Sequence, residues 1–472
     1  MRRAFPFVAL AALLLATAMP AAALTLQDAV ASAYATNPTI AAQRALVRQI
    51  DEGVPIARSE ARPTLAPSFA FTQNYRDGFV DDGRLISGGL TLGQPIWLGG
   101  RVRANVEGAE QRIESARARL TATENAIIVA TVAAYADVLR AASIVRLNEN
   151  QVNVLQRELQ ASQDRFEVGD LTRTDVAQSE ARLEAARSNL INARTREVEA
   201  QQLFRRLTGL DAVDLAPLPP LPELPRTLGE AREAAFARNP DLQASRTDEA
   251  AAKADVKAVA GERLGAVRLQ VTGAYQDLKL GQGTIGGSVS GFGGDVRVTA
   301  SMPILTGGLL AARTRQAQAR QSQLLETISA TERLVDEIVT ERFAAVRNAE
   351  ATIVSAESAI RANALAVEGV RQENLVGSRD IIDVLNAEQE LLNSEIIKEN
   401  AERERYVAAY NLLEITGDVN ALLSLVPVQR WDPEANMRRV RRLGEFAVDP
   451  DPREDRQRNT VPLPDTVRGP RN

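Results

Sequence analysis

Acidic side chains are the first candidates for chemistry in this sequence, because its 472 residues include neither Cys nor His. That composition argues against structural zinc, thiol chemistry, disulfides and every His-dependent catalytic triad. Two acidic pairs have a spacing that could serve carboxylate-dependent hydrolysis, Asp81 with Asp82 and Asp380 with Asp383. Such pairs are more often solvated in a Gly-rich loop or placed in the first turn of a helix, so we predict no catalytic residue, no metal site and no cofactor.

Two other acidic positions match between the halves of the chain and point to electrostatics rather than catalysis. Asp175 and Asp383 each follow a possible helix N-cap by three residues, Thr172 in one case and Asp380 in the other. An acidic residue there satisfies free backbone N–H groups and interacts favourably with the helix dipole. The residue just before the cap differs, being Leu171 in the first case and Arg379 in the second, so the two positions are not electrostatically equivalent.

These residues lie within a chain that repeats itself. Residues 25–38 recur as 227–240 at an offset of 202, and three further motif pairs recur at an offset of 208. Those pairs are Pro95-Ile96 with Pro303-Ile304, Val168-Gly169 with Val376-Gly377, and Asp175-Val176 with Asp383-Val384. Several separated anchors at one offset indicate two structural repeats. We place the repeats at 24–216 and 227–426, joined by a Pro-rich linker at 217–226.

Long helices should dominate both repeats, because Ala, Glu, Arg, Leu and Gln fill long stretches that contain no Pro. In the first repeat we predict a helix over 26–62 that restarts at Asn37-Pro38, then helices over 101–168 and 172–207. The second repeat should contain a long helix over 309–376 and a shorter one that ends at Thr416. Each long helix would extend about 100 Å, far more than a globular core requires.

Sheet signals occupy the gaps between the helices, where apolar residues begin to alternate with polar ones. Residues 267–276 and 292–302 alternate cleanly, and residues 65–75 and 90–96 do so less cleanly. Loops rich in Gly and Asp, 77–83 and 281–287, should separate the members of each pair. Segments of about ten residues with one apolar and one polar face are what transmembrane strands require. Four strands are too few to close a barrel, so several chains would have to contribute.

The N-terminus predicts export from the cytoplasm. Arg2 and Arg3 precede an apolar run and an Ala21-Ala22-Ala23 site, which together form the pattern of a cleavable signal peptide at 1–23. No later run approaches about twenty consecutive apolar residues, so we predict no transmembrane helix. The net charge of −5 shows no basic excess and argues against nucleic acid as a partner.

In their order and duplication, these motifs resemble the TolC-like outer-membrane efflux proteins over about residues 24–425. The resemblance rests on the two Asn-Pro helix starts, on residues 94–101 (QPIWLGGR), and on the helix turns at 165–176 and 376–385. It implies a mostly α fold with a small transmembrane β part, built from an internal duplication. Three chains would form a twelve-stranded β-barrel in outer-membrane lipid, continued by a twelve-helix tunnel through the periplasm. The partners implied are a periplasmic membrane-fusion adaptor and an inner-membrane pump or ABC transporter.

The resemblance also assigns roles to the two helix turns. The adaptor-docking tip would comprise Val168, Gly169, Leu171, Thr172, Val376, Gly377 and Ser378. Carried over residue by residue, Arg379 would pair with Asp175 of an adjacent helix pair to close the resting gate, and Asp383 would line the constriction. Asn386 stands where the family has an acidic residue, so the constriction should attract cations less than two acidic rings would. Asn374 stands where an aromatic residue is common in the family.

The sequence leaves the cargo and two alternative classes open. The polar tail at 427–472 contains Trp431-Asp432-Pro433 and resembles the extension of family members that serve type I secretion, yet small-molecule efflux fits equally well. The alternatives are a periplasmic coiled-coil structural or adaptor protein and a carboxylate-dependent periplasmic hydrolase. Alternating strands flanked by Gly-Gly argue against the coiled coil. Extraction separates these classes, because a salt wash alone would release a soluble adaptor or enzyme from outer membranes.

Overall fold

A computed structural model describes residues 23–76, 80–280, 287–417 and 430–441, without the side chains of residues 76–81. Nearly all of the predicted signal peptide 1–23 and the tail beyond residue 441 lie outside these residues. The elements of the first repeat are α1 (Leu26–Thr36), α2 (Pro38–Asp51), α3 (Gly53–Ser59), β1 (Thr64–Arg76), β2 (Val80–Trp97), α4 (Arg101–Glu167) and α5 (Arg173–Thr208). Those of the second are α6 (Leu228–Arg238), α7 (Pro240–Gly261), a 3₁₀ turn (Glu262–Leu264), β3 (Ala266–Leu280), β4 (Ser288–Ser301), α8 (Leu309–Leu375) and α9 (Ile381–Thr416), and α10 (Ala435–Val440) follows.

The predicted helices are confirmed, and the two repeats match in length. The long helices α4 and α8 contain 67 residues each, and α5 and α9 contain 36 each. Local signals set their ends: Thr172 caps the start of α5, and Gly209 ends it in the left-handed conformation. The 67-residue helices are therefore about 100 Å long, as the sequence predicts.

The Asn-Pro motifs join helices that are distant in sequence. Asn37 accepts a hydrogen bond from the Thr39 N–H at the start of α2, while its amide donates to the carbonyl of Leu207 at the end of α5, at 3.0 Å. Asn239 makes the same bridge, accepting from Leu242 N–H and donating to the carbonyl of Ile415 at 3.3 Å. Each buried asparagine satisfies one free group at each of two helix ends. As a result α5 continues into α2 and α9 into α7, which lets the short helices run the length of α4 and α8.

The four strands form a single antiparallel sheet in the order β1-β2-β3-β4. The β2–β3 pair joins the hairpin of one repeat to that of the other, and β1 and β4 are left as edges. Where strands meet helices, Gly99 and Gly261 pass so closely that a Cβ added to Gly261 would lie 2.7 Å from the Gly99 carbonyl oxygen. This contact gives a physical reason for glycine at 261.

One sequence prediction is wrong here, and another needs a closer look at the structure. Strand β2 begins at Val80 rather than at residue 90, because pairing with both β1 and β3 stabilises a stretch that alternates poorly. Helix α4 does contain an 18-residue window apolar enough to cross a membrane by composition, and half of that window is buried within the protein. The apolar stretch around Ile128 and Val132 lies in a hydrophobic core, which explains its character without a membrane.

That core is shared by both repeats. It contains Tyr135 and Phe204 of the first repeat together with Tyr406 and Tyr410 of the second, all nearly fully buried. Leucines of the Pro-rich linker pack against it, namely Leu218, Leu221 and Leu224. The linker is therefore fixed on the core rather than free. Away from the sheet, the helices lie side by side in the order α5, α4, α9, α8, so α5 and α8 are the outer members of the array.

The described part of the tail packs against the first repeat. Met437 and Val440 of α10 contact Val54 and Ile113. Asn436 donates a hydrogen bond of 2.8 Å to the buried Asp51 carboxylate, and burial raises the pKa of that carboxyl. Residues 430–441 therefore pack against α2, α3 and α4.

Candidate functional site

The two helix turns far from the sheet share one backbone arrangement. Gly169 and Gly377 adopt left-handed φ angles of +89° and +77°. The next residue in each turn donates its N–H to a carbonyl five residues earlier, Asp170 to Arg165 at 2.9 Å and Ser378 to Glu373 at 3.0 Å. This is the usual helix ending in which a left-handed glycine satisfies the last carbonyl groups.

The predicted docking residues lie on the outside of these turns. Val168 is 75% exposed and Val376 is 80% exposed, although both are apolar. Gly169, Thr172, Gly377 and Ser378 are exposed as well, and Leu171 is half-buried. Both valines are therefore accessible to another protein, and their role in docking an adaptor stays a prediction.

Asp175 caps its helix. Its carboxylate accepts hydrogen bonds from the Thr172 N–H at 2.9 Å and hydroxyl at 2.8 Å, and the Thr172 hydroxyl accepts from the Asp175 N–H at 3.3 Å. This reciprocal pair is a complete capping box. Asp380 occupies the equivalent N-cap position before α9, but its side chain makes no capping hydrogen bond.

Arg379 is bound within its own turn in the single chain. Its Nε atom lies 2.9 Å from Glu373 Oε2, and its Nη1 atom lies 3.5 Å from Asp383 Oδ2. The predicted pair with Asp175 is not formed within one protomer. It would have to form between chains and stays a prediction, as does the lining of a constriction by Asp383.

Near the turns, hydrogen bonds connect the first helix pair, α4 and α5, to the second, α8 and α9. Arg165 of α4 donates to the Asn374 side-chain oxygen at 3.0 Å, and the Asn374 amide donates to the Arg379 carbonyl at 2.8 Å. Arg182 of α5 donates to the side-chain oxygen of Asn386 at 2.8 Å. The two asparagines that depart from the family pattern therefore each accept a hydrogen bond from an arginine of the first helix pair.

A third link contains a buried carboxylate that sequence reasoning missed. Arg371 of α8 lies 2.7 Å from Glu388 of α9 and 3.3 Å from Glu158 of α4. Only 7% of the Glu388 side chain is exposed. A signal was present, because Glu388 interrupts the apolar stripe of α9 formed by Ile381, Leu385 and Leu392. A lone acid in such a stripe requires a buried partner, and sequence alone does not identify that partner.

We expect the burial of Glu388 to make the stability of the folded protein depend on pH. Burial raises the pKa of Glu388, the Arg371 charge opposes that shift, and Glu158 and Glu395 add to it. A carboxyl with a raised pKa in the folded state contributes most below its unfolded pKa, and that contribution is lost as pH rises through the folded pKa. Thermal unfolding midpoints between pH 4 and 8 should therefore fall more with rising pH in the native protein than in Glu388→Gln. Identical pH profiles would contradict a net cost of ionising Glu388.

The sheet has two chemically distinct faces. Strand pairing places Val271 beside Val296 and Tyr275 beside Phe292 on one face, with the two rings 5.0 Å apart. Large apolar side chains on this face are exposed, including Phe69 (77%), Phe292 (90%), Val296 (72%) and Val298 (63%). The other face carries mainly Gly, Ala, Ser and Thr with a few charges. An apolar face this exposed requires a nonaqueous environment.

Comparison with known proteins identifies the family of this chain. A sequence model of the family described as outer membrane efflux protein matches residues 29–210 and 231–418, most of both repeats. This chain belongs to the outer membrane efflux protein family. It is a TolC-like outer membrane factor, located in the outer membrane and extending into the periplasm.

Relatives of this efflux protein match over most of its length. The outer membrane efflux protein BepC of Brucella suis biovar 1 is 30% identical over 419 residues, 88% of this chain and 90% of BepC. The alkaline protease secretion protein AprF of Pseudomonas aeruginosa is 26% identical over 321 residues, 65% of this chain and 64% of AprF. The crystal structure of CusC shares the fold, with a TM-score of 0.73 at 15% identity over 83% of this chain and 92% of CusC. These relatives are outer-membrane channel and secretion proteins, and the efflux protein is an exit duct of that kind.

Proposed function

We propose that three copies of this efflux protein form the exit duct of a tripartite efflux or type I secretion machine. The observation that carries the proposal is the four-stranded sheet with one apolar and one polar face, continuous with helices about 100 Å long. In lipid, an open edge of such a sheet would leave backbone groups unsatisfied. Closure by three chains gives twelve strands, each repeat supplying one hairpin.

The sheet and the helical array each end in elements that lack a neighbouring element on one side. The sheet ends at β1 and β4, and the helical array ends at α5 and α8. These outer helices expose apolar side chains along their length, including Ile191 (65%) on α5 and Val354 (65%) and Leu365 (72%) on α8. Contact of β1 with β4 and of α5 with α8 of the next chain would cover both layers in one assembly step.

Engineered disulfides test this closure against a background that contains no Cys. Ala70→Cys on β1 is combined in turn with cysteine at Gly291, Gly293, Asp295 or Arg297 on β4. At least one pair should cross-link separate chains in membranes, up to a covalent trimer. In the control, the first cysteine is placed at Ser87 of β2 instead of at Ala70. Strand β2 already has a neighbouring strand on each side within its own chain. Cross-linking that is no stronger than in this control would count against the proposal.

A closed tip is part of the proposal. Near its start, α5 packs against α9 of its own chain. The exposed turn before α5 would meet the second turn of the neighbouring chain around the axis, which would bring Asp175 to Arg379 of that neighbour. We propose that Arg379 exchanges between Glu373 of its own turn and Asp175 of the neighbour, with Asp383 and Asn386 at the constriction. An exposed ion pair is weak, so the link would hold a resting state and yield when an adaptor binds.

Single-channel conductance in planar bilayers tests the gate. Arg379→Ala and Asp175→Ala are each expected to raise conductance several-fold, and the double variant should add little, because both remove the same link. Asp175→Asn is the control, because it removes the charge that would pair with Arg379 but keeps an oxygen acceptor for the capping box. Glu373→Gln should not raise conductance, because it frees Arg379 for Asp175. If neither alanine variant changes conductance, Asp175 acts only as a cap.

The relatives, rather than a binding pocket, indicate which classes of cargo fit. BepC is named an efflux protein and AprF a protease secretion protein, so small molecules and a secreted protein both fit. The Trp431-Asp432-Pro433 tail favours secretion by its resemblance. Comparing the culture medium of a strain with and without the gene, for secreted protein and for resistance to toxic compounds, separates these two roles.

A further inference from the structure

The polar face of the sheet carries a small, unbalanced set of charges. At the positions that strand pairing assigns to that face, the charged side chains are Arg268 on β3 and Asp295 and Arg297 on β4. The rest of the face consists of Gly, Pro, Ala, Ser, Thr, Gln and a few apolar side chains near its far end. The net charge of these paired positions is therefore positive in each chain.

Strand register brings the two arginines together. Arg268 lies opposite Thr299, and Gln270 lies opposite Arg297, so the arginines are diagonal neighbours on one face. Diagonal neighbours on a sheet are about 7–8 Å apart, within reach of long side chains. Arg297 is 70% exposed and lies 3.9 Å from Asp295, while Arg268 is exposed and has no ion-pair partner among the described residues.

The chain direction places the pair at one end of the sheet. Arg268 is the third residue of β3, which follows α7, and Arg297 lies near the end of β4, which leads into α8. Both arginines therefore lie in the part of the sheet closest to the helices. Small neighbours such as Gly93 and Thr299 leave the guanidinium groups unshielded.

We propose that Arg268 and Arg297 make the periplasmic end of the barrel lumen selective for anionic groups, such as the carboxylates of passing cargo. This inference rests on the proposed function, because the polar face becomes a lumen only when three chains close the barrel. The closed ring then contains six guanidinium groups against three carboxylates. A pore wall with an excess of one sign of charge concentrates ions of the opposite sign within about 10 Å of the wall at 0.1 M salt.

The test measures reversal potentials of the purified channel in planar bilayers under a KCl gradient near 0.1 M. The variant Arg268→Gln with Arg297→Gln should lower the chloride-to-potassium permeability ratio about two-fold relative to the native channel. Asp295→Asn should raise the ratio. Lys279→Gln is the matched control, because Lys279 lies on the same strand but on the opposite face, and it should leave the ratio unchanged.

The outcomes separate this inference from the proposed function. Native protein that forms no channel would contradict the proposed function itself. A conducting double variant whose permeability ratio equals that of Lys279→Gln would overturn the selectivity proposal. If the double variant does not insert, the single glutamine variants and Asp295→Asn give the same test, since each should shift the ratio in the stated direction by a smaller amount. A double lysine variant should keep the native ratio, because it keeps the charge.

Discussion

Replacing Gly169 by valine is expected to abolish export while leaving the amount of assembled channel in the outer membrane unchanged. Gly169 has a φ of +89°, and no atom lies within 4 Å of a Cβ added to it, so the substitution meets no steric obstacle from neighbours. The cost comes from the backbone, because a β-branched residue strains a left-handed turn by about 1–3 kcal/mol. The turn should relax into another shape and misplace Val168 and Leu171, which the adaptor would contact.

Asparagine provides the matched control at the same position. It tolerates the left-handed conformation, so Gly169→Asn should keep the turn and most export. Export is measured as secreted protein in the medium and as resistance to toxic compounds, in cells whose single copy of the gene carries the variant. Loss of assembled channel in Gly169→Val would show that the glycine serves only to end a helix. Equal loss of export in both variants would indicate that the side chain rather than the turn matters.

Replacing Val271 by arginine should reduce the channel assembled in the outer membrane by more than ten-fold. Val271 lies near the middle of β3 on the apolar face, beside Leu92 and Val296. Arginine at the centre of a lipid-facing strand costs about 2–4 kcal/mol, and a three-chain barrel contains the substitution three times. The amount of assembled channel is measured by quantitative immunoblotting of outer membranes without heating the samples.

The neighbouring residue supplies the control. Thr272→Arg introduces the same side chain one position along, where it points from the polar face, and it should assemble normally. Equal assembly of the two arginine variants would contradict the assignment of one face to lipid. Equal failure of both would show that β3 tolerates no large residue and that the faces do not differ in environment.

Local signals made most of the fold predictable. Helix boundaries are predictable where one residue decides them, as at Thr172 and the two Asn-Pro steps, because a cap acts within a single turn. The faces of β3 and β4 were foreseen because alternation is a local pattern. The start of β2 at Val80 was missed because partners on both sides hold that stretch, and neither partner is near in sequence.

Contacts between helices resisted prediction for the same reason. Periodicity identifies an apolar stripe, but the partner of Glu388 depends on which helix lies opposite and at what height. The asparagines at 374 and 386 likewise reveal their arginine partners only in the folded chain. The apolar stretch of α4 illustrates the converse, because its composition suggests a membrane span and its burial in the shared core shows another cause.

The most direct measurement of the central claim is the mass of the purified particle. Outer membranes are washed with high salt and then extracted with a mild detergent, and the protein mass of the particle is determined by multi-angle light scattering with the detergent contribution removed. A three-chain duct predicts that the salt wash leaves the protein in the membrane and that the extracted particle contains the protein mass of three chains. Release by salt alone, or a particle containing one chain, would contradict a barrel closed by several copies.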